Sequence, residues 1–283
     1  MLIVPSSSSE TLASKISELL RSGLSEVERK RFPDGEMYVR VLAEMEGKEV
    51  AVIGNTRNDA DLIELLLLLN ACREAGAGKL IAVVPYFGYA RQHMIYRNGE
   101  PVSSKVMTKC IEEFSDEIIS VEIHNEETLH FASKPFRNIS VIDTMSRHFL
   151  GQKIDYVLAP DDGAFDRARK MAEILGTRAH YIDKKRIDSK SVEMHLPNLE
   201  YDGKSVLLVD DIISTGGTII RAVNLLRDRG VSRISVNAVH GVFARESDKT
   251  IASLVDDLVV SDTIDGPNST VSVAENISRS LRS

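Results

Sequence analysis

The stretch Ser205-Val-Leu-Leu-Val-Asp-Asp-Ile-Ile-Ser-Thr-Gly-Gly-Thr-Ile-Ile220 decides the fold of this chain. It opens with a short apolar run, Val206 to Val209, of the kind that a buried parallel strand shows. Two adjacent acids end this run, small residues follow, and an amphipathic segment from Ile219 to Arg229 predicts a helix. A strand, a small-residue loop and a helix in this order present free backbone N–H groups and the positive end of a helix to an anion.

The side chains of this stretch indicate the kind of anion. Glycines let the backbone approach a ligand closely, and hydroxyl groups add hydrogen-bond donors. Carboxylates repel a phosphate, so the two acids suit sugar hydroxyls or a bound cation. The alternative is an ordinary turn with an acidic flank. Five consecutive small residues favour the anion site over this alternative. We therefore predict a site for a phosphorylated sugar. Its predicted residues are Asp210, Asp211, Ser214, Thr215, Gly216, Gly217 and Thr218.

This stretch resembles the phosphoribosyl diphosphate (PRPP) binding motif that phosphoribosyltransferases and PRPP synthetases share. The resemblance implies that the loop holds the 5-phosphate of ribose 5-phosphate and that the acids hold the 2- and 3-hydroxyls. The motif alone leaves several functions open, because enzymes that make PRPP and enzymes that consume it both carry it.

The composition excludes several classes of protein. A formal net charge of -7 argues against nucleic acid or an anionic membrane surface as the main partner. The two cysteines, Cys72 and Cys110, have no metal-binding spacing, which is typical of a reduced cytosol. No apolar run approaches the length of a membrane span. We expect a cytoplasmic protein that binds no nucleic acid and no membrane.

Alternating strand and helix patterns run through the whole chain and predict an α/β fold. An internal echo indicates two similar halves, because Arg73 and Gly76 recur as Arg227 and Gly230 at one constant offset. We predict two similar domains, 1–144 and 145–283, each a mostly parallel sheet flanked by helices, as in phosphoribosyltransferases. The first copy has the segment 54–57 in place of the acids and glycine loop, so we predict that this domain is degenerate and lacks the sugar-phosphate site.

Local patterns add four expectations about the chain outside the organising stretch. Ser7 and Glu10 have the spacing of a capping box at the start of a helix. Residues 97–105 are polar and contain Asn-Gly, which predicts a mobile loop. Residues 140–142 indicate the start of a strand. The basic segment 183–186 is expected to end a strand and to begin a long polar connection through Asn198.

Two further stretches carry side chains that suit a nucleotide. The turn Arg31-Phe-Pro-Asp-Gly-Glu-Met-Tyr-Val-Arg40 places an aromatic ring, acids and arginines around Pro-Asp-Gly, which would suit a purine and its ribose. The alternative is a hairpin with charged flanks. Pro85-Tyr-Phe-Gly-Tyr-Ala-Arg-Gln-His93 follows a buried strand, at the usual ligand edge of an α/β sheet. Arg91 could bind phosphate and Gln92 a base edge; the alternative is a capped loop with an exposed arginine.

Phe32-Pro-Asp-Gly-Glu36, Tyr89-Ala-Arg-Gln92 and the loop with Glu100-Pro101 and Lys105 resemble ribose-phosphate diphosphokinases, also called PRPP synthetases. The similarity is to the short, archaeal-like form with a phosphoribosyltransferase-type fold. It implies dimers or larger homo-oligomers whose ATP site takes the Phe32 to Glu36 region from a neighbouring subunit. The residues that it implies for ATP binding are Phe32, Asp34, Gly35, Glu36, Arg91, Gln92 and His93.

The resemblance also implies a Mg²⁺ site and two catalytic cations. Glu122-Ile-His-Asn125 is similar to an Asp-Leu-His segment, so His124 is implied as a metal ligand with Glu122 in place of Asp. Ala159-Pro-Asp-Asp-Gly163 is similar to a Pro-Asp-x-Gly segment, which implies Asp161 as the second ligand, although Ala164 replaces a glycine. A lone histidine at a strand end is otherwise a hydrogen-bonded core residue.

Lys184 and Arg186 match basic residues that lie, in this family, on a flexible loop over the phosphates. A basic run is otherwise a solvated surface. The implied reaction transfers the diphosphate of ATP to the 1-hydroxyl of ribose 5-phosphate and releases AMP and PRPP. Two alternatives stay open: a PRPP-consuming phosphoribosyltransferase, which needs no nucleotide motifs in a second half, and a non-catalytic regulatory homologue, which is expected to have lost the basic residues or the loop.

Overall fold

The protein is described by a computed structural model that covers residues 1–186 and 192–282. None of the helices in these ranges is long and apolar enough to cross a membrane. Contacts between residues divide the chain into two compact units. The first unit consists of Met1–Ser140, Thr263–Asp265 and Ser272–Ser283, and the second of Val141–Asp262 and Gly266–Val271.

Strands and helices alternate along both units, as the sequence predicts. The strands of the described residues are β1 (Leu2–Pro5), β2 (Gly23–Leu24), β3 (Val27–Arg31), β4 (Met37–Val41), β5 (Glu49–Ile53), β6 (Lys79–Val84), β7 (Glu117–Val121), β8 (Phe136–Ile139), β9 (Tyr156–Ala159), β10 (Arg178–Tyr181), β11 (Asp183–Arg186), β12 (Val192–His195), β13 (Ser205–Ile213), β14 (Arg233–Gly241), β15 (Asp257–Ser261) and β16 (Ser269–Val271). The helices are α1 (Glu10–Leu20), α2 (Asp59–Glu74), α3 (Ser103–Phe114), α4 (Ile142–Arg147), α5 (Phe165–Leu175), α6 (Gly217–Asp228), α7 (Ser247–Ala252) and α8 (Ala274–Arg282).

The first unit is built on a six-stranded sheet with the order β2-β1-β5-β6-β7-β8, in which every pairing is parallel. Four successive residues of β5, Val50 to Ile53, are fully buried. Successive side chains of a strand point to opposite faces, so both faces of this sheet are covered. Leu65, Leu68 and Leu69 of α2 pack in the core with alternate residues of the central strands. Strands β3 and β4 form a separate antiparallel hairpin.

The second unit repeats this architecture with the order β10-β9-β13-β14-β15-β16, again entirely parallel. Val206 to Val209 of β13 are fully buried, and α6 contributes Ala222, Val223 and Leu226 to the same core. The predicted fold of two similar parallel-sheet units flanked by helices is therefore confirmed. Strands β11 and β12 form a two-stranded antiparallel ribbon of their own.

The same ion pair forms in both units, which explains why the arginine of the sequence echo recurs. In the second unit, Arg227 at the last turn of α6 donates to Asp256 over 2.8 Å. The same carboxylate accepts the N–H of Ile234, at the start of β14, over 2.8 Å. The aspartate thus joins the end of a helix to the beginning of the next strand.

In the first unit, Arg73 at the end of α2 donates to Asp116 over 2.8 Å. The second oxygen of that carboxylate accepts the N–H of Leu80, at the start of β6, over 2.7 Å. An arginine, an aspartate and a backbone N–H of the next strand therefore make the same three-way contact at corresponding points of the two sheets. This correspondence supports duplication of one α/β unit more specifically than the shared pattern of apolar residues does.

Both aspartates are expected to contribute to stability at neutral pH and to lose this contribution in acid. Burial works to raise the pKa of Asp256, but the hydrogen bond from Ile234 and the charge of Arg227 outweigh it, so the pKa is lowered from 3.8. A group with a lowered pKa stabilises the fold above its unfolded pKa, and the stability is lost as the pH falls through the folded value. In urea unfolding, Asp256→Asn should lower the free energy of unfolding at pH 7 by about 0.5–1 kcal/mol, because the pair is partly exposed.

Measurements of the free energy of unfolding at acid pH test whether the charge of Asp256 causes this difference. The difference between the wild type and Asp256→Asn should shrink as the pH falls below 3.8. Glu246→Gln, which removes an exposed ion pair with Lys249, is the matched control and should change the free energy of unfolding little at any pH. A difference for Asp256→Asn that stays constant down to the acid end would contradict the assignment.

Four local expectations from the sequence are wrong. The predicted capping box does not form, because the side chain of Ser7 bonds to Glu64 and α1 begins at Glu10 without a side-chain cap. The strand predicted to begin at residues 140–142 is β8, which ends at Ile139, and α4 begins at Ile142. The segment 97–105 is a loop only in part, since α3 begins at Ser103.

The fourth correction concerns the segment 183–186, which does not begin a long polar connection. It forms β11 and pairs with β12, so that Lys184 lies opposite Met194. The organising strand also differs from its predicted length. The apolar run ends at Val209, but β13 continues through both acids to Ile213, where it still pairs with β14.

Candidate active site

The loop between β13 and α6 has the unused backbone donors that the sequence predicts. Within the described residues, the N–H groups of 214–219 donate no hydrogen bond, and the first such bond of the helix runs from Ile220 to the carbonyl of Gly216 over 2.9 Å. Gly216 has a φ of 73°, a left-handed conformation that turns the chain into α6. These N–H groups lie at the N-terminus of a 12-residue helix, where an anion is stabilised.

The two glycines of this loop have different structural roles. A Cβ atom on Gly216 would lie 2.8 Å from Cδ1 of Ile251 and 3.2 Å from Cβ of Ser247, on α7. A Cβ atom on Gly217 would meet only Oγ1 of Thr215, at 4.0 Å. Gly216 is therefore required by the fold, whereas the missing side chain of Gly217 leaves open space beside the free N–H groups.

Gly216→Ala is expected to destabilise the protein, because it combines a strained φ with contact against α7. The cost is about 1–3 kcal/mol in the free energy of unfolding, measured by urea denaturation. Gly217→Ala is the matched control and should leave the free energy of unfolding within about 0.5 kcal/mol of the wild type. Equal destabilisation by both substitutions would contradict this division of roles.

The two adjacent acids stand inside β13, just before the loop. Asp211 is buried, and one oxygen of its carboxylate accepts the N–H of Ile212 over 2.9 Å. Asp210 accepts the N–H of Asp211 over 2.9 Å. Burial, followed by the charge of Asp211, raises the pKa of Asp210 well above its usual value. A carboxylate held in this way gains from a ligand that donates hydrogen bonds, as a sugar hydroxyl does.

Asp161 and Lys184, predicted for metal binding and catalysis, form an ion pair. The Nζ atom of Lys184 lies 2.6 Å from Oδ2 of Asp161, and both side chains are about one third exposed. The other oxygen of Asp161 caps the short helical turn after β9 by accepting the N–H of Ala164 over 3.3 Å. Lys184 reaches this position because the ribbon of β11 and β12 carries it. Arg186 ends β11, and its side chain lies outside the described part of the chain.

The first unit has a loop at the corresponding place, but its backbone donors are already used. The N–H groups of Gly54 and Thr56 donate to backbone carbonyls, and that of Asn55 donates to Oγ of Ser8 over 3.2 Å. A Cβ atom on Gly54 would lie 2.7 Å from Oγ of Ser6. The serine run after β1 thus occupies the space that the second unit leaves open to an anion, which supports the predicted degeneracy of the first domain.

The predicted nucleotide residues of the hairpin lie at its exposed tip. Phe32 to Glu36 form the turn between β3 and β4, where Gly35 has a φ of 95° and the ring of Phe32 packs edge-on to Tyr38. A cavity of about 400 Å³ lies between this tip and the first turn of α2. Its lining residues are Arg31, Gly35, Glu36, Met37, Asp59, Ala60 and Ile63.

The second nucleotide stretch reaches the same helix end. The hydroxyl of Tyr89 donates to Asp59, which lines the cavity. Three residues further on, the side-chain oxygen of Gln92 accepts from Oγ of Ser103 over 2.5 Å. Arg91 is exposed, whereas His93 is half-buried, with its Nε2 atom 3.9 Å from Oε2 of Glu127. The hairpin and the loop after β6 therefore approach one another through Asp59.

His124 is exposed just beyond the end of β7. The backbone before it is unusual, since Glu122 is buried with a φ of 41° and accepts from Oγ of Ser140 over 2.6 Å. Across the described ranges, no group of three or more His, Cys, Asp or Glu side chains is arranged to hold a metal ion. Mg²⁺ commonly keeps few protein ligands and is carried by substrate phosphates, so single ligands such as Asp161 fit it.

The sequence did not single out Asp59, Tyr89 as a hydrogen-bond donor, or Glu64. Asp59 follows Asn58, whose side chain caps α2 by accepting the N–H of Asp61, and capping chemistry was the available signal. Glu64 is an acid inside the apolar run 62–69, and a buried charge there required a partner.

Comparison with known proteins gives matches to both halves of the chain. Residues 1–115 match the family described as the N-terminal domain of ribose phosphate pyrophosphokinase. Residues 137–273 match the family described as the phosphoribosyl transferase domain. The two matches together span most of both units.

Curated relatives cover nearly the whole chain. The ribose-phosphate pyrophosphokinase of Thermoplasma acidophilum is 44% identical over 273 residues, which are 96% of this chain and 96% of that protein. The ribose-phosphate pyrophosphokinase of Thermococcus kodakarensis is 44% identical over 267 residues, covering 92% of this chain and 94% of that protein. The crystal structure of phosphoribosylpyrophosphate synthetase from Mycobacterium smegmatis matches with a TM-score of 0.88 at 25% identity, covering 99% of this chain and 97% of that one.

Proposed function

The chain belongs to the ribose-phosphate pyrophosphokinase family, and on that premise we propose how its residues divide the work of the reaction. The enzyme transfers the diphosphate group of ATP to the 1-hydroxyl of ribose 5-phosphate, giving PRPP and AMP. The observation that carries the assignment of residues is the loop 214–219, whose backbone donors are unused next to two carboxylates.

Ribose 5-phosphate binds to the second unit. Its phosphate accepts hydrogen bonds from the free N–H groups between Ser214 and Thr218, where the helix end favours negative charge. The open space beside Gly217 admits the phosphate oxygens. Asp210 and Asp211 accept hydrogen bonds from the 2- and 3-hydroxyls, which favours the charged form of a carboxyl group whose pKa burial has raised.

ATP binds between the loop after β6 of one copy of the chain and the exposed hairpin tip of a neighbouring copy. Phe32 offers an aromatic face for the base, and the carboxylates of Asp34 and Glu36 offer hydrogen-bond acceptors to the base and ribose. Gly35, with its φ of 95°, allows the turn that presents them. Arg91 is exposed and suits the phosphates, and Gln92 and His93 complete the predicted set. The hairpin is offered to a neighbouring copy of the chain in a homodimer or larger homo-oligomer.

Asp161 and His124 are the residues that would hold Mg²⁺, directly or through water. A bound Mg²⁺ would supply charge neutralisation to the phosphates of ATP. The ion pair with Lys184 keeps the carboxylate of Asp161 oriented before the nucleotide arrives.

The chemistry asks for positioning and charge rather than for a covalent intermediate. The 1-hydroxyl oxygen of the sugar forms a bond to the β-phosphorus of ATP, in line with the bond from that phosphorus to the α,β-bridging oxygen. The latter bond breaks, and AMP leaves with the bridging oxygen. Lys184 and Arg186 stabilise the charge that develops on the transferred group and on the leaving oxygen. The hydroxyl proton passes to solvent, since Asp210 and Asp211 do no more than polarise the sugar.

A stoichiometric assay tests this function. Incubation with ATP, Mg²⁺ and ribose 5-phosphate should release one AMP for each PRPP formed, and omission of ribose 5-phosphate should abolish AMP. A phosphoribosyltransferase would release no AMP from this mixture, and a non-catalytic homologue would convert neither substrate. Either of these results overturns the proposal.

A further inference from the structure

Glu64 is a buried carboxylate that the proposed mechanism does not use. It lies in α2 among leucines, and its side chain is 2% exposed. Removing a carboxylate from water costs several kcal/mol unless hydrogen bonds and an opposite charge compensate. The partners of Glu64 therefore indicate what the residue does.

The carboxylate of Glu64, on α2, binds groups of two other segments, which are the hairpin strand β3 and the loop after β1. The Nε atom of Arg29, on β3, lies 2.7 Å from Oε1 of Glu64. The same oxygen accepts the N–H of Ser7 over 2.8 Å, and the hydroxyl of Ser7 donates to the other oxygen. Arg29 also donates to the carbonyl of Pro5. One ion pair, with Glu64 buried and Arg29 partly exposed, thus fixes the hairpin to a helix and to the loop after β1.

The position of this ion pair along the hairpin allows it to orient the hairpin tip. The hairpin forms a two-stranded sheet of its own, and Val27, Val39 and Val41 pack its base against the core. Arg29 lies opposite Val39, at the end of this packed base that is nearer to the exposed tip. Beyond it, the cavity of about 400 Å³ separates the tip from the first turn of α2.

We propose that Arg29 and Glu64 are positioning residues of the nucleotide site, because their partly buried ion pair fixes the direction in which the hairpin presents Phe32 to Glu36 to ATP. This inference rests on the proposed function of those tip residues. Apolar packing holds the base of the hairpin but has little directional preference, whereas charged hydrogen bonds in a buried setting do. Without the pair, binding of ATP has to order the tip, and the affinity falls accordingly.

The kinetic test compares Glu64→Gln with a matched control. We expect Glu64→Gln to raise KM for ATP about tenfold while kcat and KM for ribose 5-phosphate change less than about twofold. The control is Glu10→Gln, which removes the exposed partner that Arg29 contacts at 3.0 Å and should leave all three constants within about twofold. An equal fall in kcat, or an equal rise in both KM values, overturns the proposal.

A second measurement follows the hairpin itself. The chain contains no tryptophan, so Phe32→Trp places a single fluorescent reporter at the tip. We expect Glu64→Gln in this background to lower the time-resolved anisotropy of Trp fluorescence, which reports greater motion of the tip. Unchanged anisotropy overturns the proposal, as does increased motion without any change in KM for ATP measured in the chain that keeps Phe32.

A double variant covers the case in which Glu64→Gln alone prevents folding, since it leaves the charge of Arg29 without its buried partner. Arg29→Gln with Glu64→Gln removes both charges, and the same rise in KM for ATP and the same loss of anisotropy are expected. Failure of the proposed function is recognised separately, because the wild-type chain then forms no AMP, while the anisotropy still decides whether the ion pair holds the tip.

Discussion

Replacing Lys184 with alanine is expected to slow turnover about 10²- to 10³-fold, because a preorganised charge at the transferred group is worth about 3–4 kcal/mol. The fold should stay intact. Lys184 is about one third exposed and pairs with Asp161, and ion pairs of this kind contribute about 0–1 kcal/mol to stability. The measurements are kcat in the coupled assay at saturating ATP and ribose 5-phosphate, and the thermal midpoint.

Lys249→Ala is the matched control for this experiment. Lys249 lies in the same unit and forms an ion pair with Glu246, 2.5 Å apart, on the surface. Its removal should leave kcat within about twofold of the wild type. Near-normal turnover in Lys184→Ala would show that the lysine is a solvated surface charge and would remove its catalytic assignment.

Replacing Asp210 with asparagine should weaken the enzyme and stabilise the fold at the same time. A carboxylate that accepts a hydrogen bond from a sugar hydroxyl contributes about 1.5–3 kcal/mol, so kcat/KM for ribose 5-phosphate should fall about 10- to 100-fold. Burial and the charge of Asp211 raise the pKa of Asp210, so its ionised form works against folding at pH 7. Asparagine removes that penalty, and the thermal midpoint at pH 7 should rise.

The pH dependence of the thermal midpoint tests whether the ionised carboxylate of Asp210 causes this gain in stability. The native protein binds a proton at Asp210 more tightly than the unfolded chain, so wild-type stability increases as the pH falls from the raised pKa toward the ordinary value of 3.8. The advantage of Asp210→Asn should therefore disappear toward acid. Asp202→Asn, at an exposed aspartate ahead of β13, is the control and should change neither the activity nor the midpoint. A midpoint lowered by Asp210→Asn at pH 7 would be evidence against a strained carboxylate.

The sequence predicts most of the second unit's site, because the relevant residues are consecutive. The apolar run, the acids and the small-residue loop from Ser205 to Thr218 specify a βα unit without help from distant residues. The length of β13 was missed for a physical reason. Ile212 and Ile213 continue the strand only because β14 lies alongside, pairing with His240 and Gly241.

Contacts between distant residues explain the other differences. Ser7 has a favourable local partner in Glu10, but Glu64, 57 residues away, takes its hydroxyl instead. The pairing of Lys184 with Asp161 spans 23 residues and depends on a ribbon that no local pattern specified. The assignment of nucleotide-binding residues in the first unit stays a prediction. The structure gives the position of these residues, whereas the identity of their ligand comes from family resemblance.

The serine run in the first unit leads to an expectation about how many sugar phosphates one chain binds. Oγ of Ser8 accepts one of the N–H groups of the loop at Gly54, and Ser6 fills the space where a phosphate oxygen would sit. Of the two matching loops in the described residues, the loop of the second unit alone keeps its backbone donors unused. Because of this asymmetry, we expect each polypeptide to bind one equivalent of ribose 5-phosphate, with no second, weaker phase in the binding curve.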